Sequence, residues 1–143
     1  MNRRDALFAT GALLAAGATS AAADHSHHHH GGANPWQAVL DTAGICIEKG
    51  EVCLTHCIML MGEGDKTMAP CATSVREMLA TCRALITLAG AESKFTPKLA
   101  ALCVDVCKAC EAECKKHADK HKACKDCMES CAECAKACKA KVA

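Results

Sequence analysis

Along residues 34–143, apolar positions recur every three or four residues, with Lys, Glu, Asp and Ala between them. This is the period of α-helices that each bury one face. The pattern starts after Asn34-Pro35, a cap residue followed by proline at the first helical position. Trp36, Val39, Leu40, Ala43, Cys46, Ile47, Cys53, Leu54, Cys57 and Leu60 then share one broad face, and Gly62-Glu63-Gly64-Asp65 ends the run. A second helix is expected from near Thr67 to Gly90, with Cys71, Val75, Met78, Leu79, Cys82, Leu85 and Ile86 inward. Thr96-Pro97 repeats the start signal for a third, which carries Leu99, Cys103, Val106, Cys107, Cys110, Cys114 and His117 inward. The register continues through His117 and His121 to Cys124 and slips at Cys127. That slip and the polar run KKHADKHK predict a tight turn near 117–121, with one long helix as the alternative. Four amphipathic helices with short connections predict an all-α chain, an antiparallel four-helix bundle.

The inward seam is made of thiols. Cysteines stand at 103, 107, 110 and 114, and again at 124, 127, 131, 134 and 138, where a coiled-coil seam carries Leu and Ile. Fourteen of the 143 residues are cysteine, the level at which disulfide scaffolds and metal proteins lead. The aromatics are Phe8, Trp36 and Phe95, with no tyrosine, so a core of large side chains would be thin. The length suits one domain, and a net charge of +1 leaves no electrostatic footprint for nucleic acid. No Ser/His/Asp set, phosphate loop or acid pair is present, and the CxxC units lie mid-helix, unlike a thioredoxin-type site. These features point away from an enzyme.

Residues 1–23 read as a signal peptide. Arg3-Arg4 precedes the apolar run Ala6 to Ala16, and Ala21-Ala22-Ala23 offers a cleavage site. The paired arginines favour the twin-arginine route, which exports folded proteins to the periplasm. The run is short for a membrane span, so none is expected after cleavage. Folding in a reducing cytosol would let thiols arrive already shielded. Residues 24–33, with His25 and His27 to His30, read as a flexible metal-attracting arm, an expression tag being the plainer alternative. Residues 34–143 form the bundle.

Three chemistries compete for the thiols. Disulfides join distant segments, whereas cysteines three and four apart on one helix point in parallel. A disulfide-stapled structural or interaction domain is nonetheless the alternative from another class. Zinc or iron–sulfur clusters gather ligands at one focus, while these cysteines run up each helix for about 20 Å at ~1.5 Å per residue. Cu(I) is soft, takes two or three thiolates, and offsets the charge of one buried thiolate per ion. A seam of shared cysteines suits a file of such ions, which would also supply core mass.

GEVCLTHC, MLATCRALITLAG with FTP beyond it, DVCKACEAEC and CKDCMESCAECAKAC together resemble the copper storage proteins, and the twin-arginine leader and His-containing arm resemble their exported branch. The resemblance implies a four-helix bundle that buffers multiple Cu(I) ions. It also implies assembly into a homotetramer and supply of a copper-accepting enzyme, such as methane monooxygenase, or of a chaperone. The implied ligands are Cys46, Cys53, Cys57, Cys71, Cys82, Cys107, Cys110, Cys114, Cys124, Cys127, Cys131, Cys134 and Cys138. Cys103 looks like an addition one turn beyond the usual run, still on the seam. The family's His and Met near the open end of the bundle correspond to His56 and Met68, with Met59 and Met61 close by in sequence. Met78 and Met128 read as core filler. His117 and His121 read equally as surface residues or secondary ligands.

Overall fold

The structure, a computed structural model, describes residues 34–143; the expected signal peptide and histidine arm lie outside them. Four helices follow in order: α1 (Gln37–Gly62), α2 (Ala69–Gly90), α3 (Thr96–Lys115) and α4 (Lys122–Val142), with a single 3₁₀ turn, Lys66–Met68, ahead of α2. No strand occurs among the described residues. At ~1.5 Å per residue, α1 is about 39 Å long, and the connections 63–65, 91–95 and 116–121 are far too short to run back along it. Successive helices are therefore antiparallel. Each helix packs on two neighbours, α1 on α2, α2 on α3, α3 on α4 and α4 on α1. The backbones of the diagonal pairs stay apart, so side chains alone fill the axis. None of the helices is long and apolar enough to cross a membrane.

The turn chemistry sets these boundaries. Gly64 sits at φ +100°, a conformation open to glycine at little cost. The Asp65 side chain then accepts from the Thr67 backbone N–H at 2.9 Å, starting the 3₁₀ turn that leads into Pro70. Two expected starts shift. Asn34 stands ahead of the helix as a turn residue, accepting from Trp36 N–H at 2.7 Å, and α1 opens at Gln37 with Trp36 as its cap residue. Thr96 is the first residue of α3 rather than its cap, fully buried, and its hydroxyl donates to the Leu88 carbonyl at 3.0 Å. The Asn34 amide likewise donates to the Ala89 carbonyl at 3.1 Å. Both residues satisfy the last turn of α2, whose carbonyls lack intrahelical partners. The tight turn expected near 117–121 is present as 116–121, and α3 and α4 are separate helices.

Burial follows the seam. All fourteen cysteines have no solvent exposure. Beside them the core holds Val39, Met68, Val75, Met78, Leu79 and Leu85 with several alanines. Ile47, Leu54, Leu60, Ile86 and Leu99 are half-buried flanks. On α3 the buried valine is Val104, while Val106, expected inward, is only half-buried. Gly50 marks a close approach of α1 and α2, where an added Cβ would lie 2.5 Å from Met78 Cε and 2.9 Å from Leu79 Cδ2.

Candidate metal centre

The helices bring the thiols together in five groups whose sulfurs all lie within 4.8 Å of one another. From the end nearest the C-terminus these are Cys103/Cys134/Cys138, Cys46/Cys82/Cys107/Cys134, Cys110/Cys127/Cys131, Cys53/Cys114/Cys127 and Cys53/Cys57/Cys71/Cys124. Every cysteine of the chain belongs to at least one group. Cys134, Cys127 and Cys53 each belong to two, and Cys46 and Cys131, 3.7 Å apart, join the second group to the third. The result is one unbroken column of sulfur down the bundle axis. Cys103, one turn beyond the rest of its run, lies in the column with them, 3.8 Å from Cys82 and 3.7 Å from Cys107.

All fourteen thiols are free. Neighbouring sulfurs such as Cys71 and Cys114 at 3.6 Å, or Cys53 and Cys124 at 3.8 Å, are well beyond bonding distance. A metal–thiolate bond is about 2.3 Å, which sets the sulfurs of a three-coordinate ion about 4 Å apart. The metal-free core already has that spacing.

Protonation is shared through the column. Burial disfavours the charged thiolate, and S–H···S bonds oppose that push where several donors converge on one sulfur. Bonds from Cys107 and then Cys131 hold Cys46 down at about 5, and a bond from Cys107 brings Cys103 to about 5. Cys71, Cys127 and Cys134 are also drawn below their ordinary value, led by Cys114, Cys110 and Cys103 respectively. The donor partners go the other way: Cys53 is raised chiefly by Cys114, and Cys82 and Cys107 chiefly by Cys103. Sulfurs that collect several S–H donors are positions where a soft cation can replace protons.

The sequence model of the copper storage protein family matches residues 32–143. The chain belongs to the copper storage protein family. It is 29% identical over 107 residues to the cysteine-rich protein YhjQ of Bacillus subtilis, covering 75% of this chain and 95% of that protein. Among solved structures it resembles apo copper storage protein 3 from Bacillus subtilis, with a TM-score of 0.66 and 28% identity over 75% of this chain and 98% of that one. A Cu(I)-bound structure of the copper storage protein BsCsp3 superimposes with a TM-score of 0.67 and 27% identity, over 75% and 97% of the two chains. As a copper storage protein the chain binds multiple copper ions on core cysteine thiols, within a storage family rather than an enzyme family.

Of the other residues singled out in the sequence, the histidines and Met68 fall at one end of this family member's column, and Met78 lies deeper along it. His56 lies beside the Cys53/Cys57/Cys71/Cys124 group, half-buried, with Nε2 3.0 Å from Nδ1 of His121 across the bundle end. Met68 is fully buried in the 3₁₀ turn, Met61 is half-buried and Met59 is exposed. His117 is half-buried in the α3–α4 turn, and Met128 is a half-buried flank of the core. Met78 is fully buried in the core, with its sulfur 3.3 Å from the Cys46 sulfur. Its signal was present in the sequence: Cys71, Val75, Met78 and Cys82 keep the three–four step on α2. The pairing of His121 with His56 had no such signal, because the turn sets the direction of the His121 ring.

Proposed function

We propose that this chain stores Cu(I) as a file of ions down the bundle axis, near one ion per thiolate, on all fourteen cysteines. The observation that carries this is the unbroken column of shared thiol groups. Isolated four-thiolate zinc sites would each leave two negative charges buried, whereas one Cu⁺ per thiolate leaves none. The Cu(I)-bound relative supports the metal and its oxidation state. His56 and Met68, at the end of the column formed by the 63–68 and 116–121 connections, act as its mouth, taking the first ions and passing them inward. The chain is a reservoir without catalytic activity. It reaches the periplasm through its twin-arginine leader and works as a homotetramer. From there it supplies a copper chaperone or a copper-accepting enzyme such as methane monooxygenase.

The test is anaerobic titration of the reduced protein with Cu(I) against a chromophoric competing chelator. Uptake beyond about ten ions, possible only with thiolates shared between two- and three-coordinate copper, is the expected result. Saturation at one or two ions overturns storage. A free-thiol count near zero in the oxidised, metal-free protein would favour a stapled structural domain instead.

A further inference from the structure

At the His56 end of the column the α3–α4 turn carries charge of the wrong sign for a bare copper ion, facing Glu63, Asp65 and Lys66 of the α1–α2 connection. Between residues 115 and 125 stand Lys115, Lys116, Lys120, Lys122 and Lys125 against one acid, Asp119, a local charge of +4. The remaining described residues carry ten basic and thirteen acidic side chains, a charge of −3. All five lysines are exposed. Lys116 pairs with Glu113 and Lys122 with Asp126, while Lys115, Lys120 and Lys125 make no ion pair among the described residues. Lys115, Lys120, Lys122 and Lys125 line one recess of about 610 Å³ against the α3–α4 turn. The same turn carries His121, whose ring meets His56 beside the outermost thiol group.

Helix formation does not account for this placement. Lys122 and Lys125 occupy the first turn of α4, where the macrodipole favours carboxylates, and that turn holds no acid. A basic collar repels a free cation and attracts an anion. We infer that the collar receives Cu(I) as a small anionic complex, such as a copper dithiolate, and holds the carrier in the lysine recess while the metal passes to the mouth. No electron moves in this step. The ion leaves two sulfurs of the carrier for sulfurs of the column, and the carrier takes up the protons that the column thiols release. The inference rests on the Cu(I)-storage reading above and deepens it by naming the form in which copper is delivered.

The experiment compares transfer rates from two phenanthroline complexes, the trianionic Cu(I) bis(bathocuproine disulfonate) and the monocationic Cu(I) bis(neocuproine). The variant is the triple Lys115→Glu/Lys120→Glu/Lys125→Glu, which takes the collar from +4 to −2. Its control is Lys136→Glu/Lys139→Glu/Lys141→Glu, the same change in net charge at the far end of α4. At low ionic strength the collar variant should accept copper from the anionic complex about tenfold or more slowly, and from the cationic complex faster. Both differences should shrink at about 1 M salt, where the Debye length is about 3 Å. The control should lie within about twofold of the native rate, since its charges are remote from the mouth. Unchanged rates in the collar variant, changes of the same sense for both complexes, or an equal effect from the control each overturn the inference. Total copper bound at equilibrium is read in the same samples. A full load with charge-independent rates fails the collar alone, and a load of one or two ions in every variant fails the storage reading itself.

Discussion

Cys127 is the most connected test of the column. Its sulfur belongs both to the group with Cys110 and Cys131 and to the group with Cys53 and Cys114. Cys138 belongs to one group only, with Cys103 and Cys134. Cys127→Ala therefore removes a ligand from two three-thiol sites and leaves each with two sulfurs, while Cys138→Ala damages one site at the end of the file. If ions share thiolates as the distances allow, Cys127→Ala should lose about two copper ions and Cys138→Ala about one. The cost to the metal-free fold should be small. One buried sulfur is deleted, and the thiols that bonded to it are weak donors with other sulfurs nearby, so about 1 kcal/mol is expected for either variant. For a domain of this size that lowers Tm by about 4 °C. The assay is anaerobic Cu(I) titration of the reduced proteins against a chromophoric chelator, paired with thermal unfolding of the metal-free forms. Equal losses from the two variants would refute the sharing of Cys127. A loss of more than about four ions at similar Tm would mean that copper binds as one cooperative cluster rather than a file of overlapping sites.

Three further outcomes follow from particular contacts. Gly50→Ala should destabilise the metal-free bundle by about 1–3 kcal/mol, because the new methyl would press on Met78 and Leu79; an unchanged Tm would show that α1 and α2 separate at no cost. The pH dependence of the metal-free fold should peak near the ordinary thiol value. Hydrogen bonds lower Cys46 and Cys103 to about 5, so their contribution is fully present above 9.0 and is lost as pH falls through about 5. Cys53, raised chiefly by Cys114, and Cys82 and Cys107, raised chiefly by Cys103, contribute stability that is present below 9.0 and lost as pH rises. Tm measured across pH 5 to 11 should thus rise and then fall, and a monotonic rise through pH 10 would contradict the assigned directions. His56→Ala should slow copper uptake in stopped flow while lowering capacity by no more than about one ion, since one nitrogen ligand is removed; an unaltered rate would remove His56 from the path inward.

What the chain could declare locally, it did. Cysteines three and four apart on α3 and α4 share a face whatever surrounds them, because 3.6 residues complete a turn. The turn residues Gly62 to Asp65 and the polar run before Lys122 break the helical pattern without tertiary help. All fourteen cysteines are buried, as their periodicity required. Tertiary structure decided the rest. Angular phase says which way a side chain points, not the height at which the facing helix presents its partner. The meeting of Cys46 with Cys82, Cys107 and Cys134, or of Cys53 with Cys114 and Cys127, depends on the stagger between helices, which the lengths of the turns set. The hydroxyl of Thr96 left the cap role because α2 ended within its reach, and packing buried Val104 while leaving Val106, expected inward, half-buried. The His56–His121 contact joins residues 65 apart across two helix ends. Only packing can bring such a pair to 3.0 Å, because nothing between them in the chain holds a fixed direction through the turns.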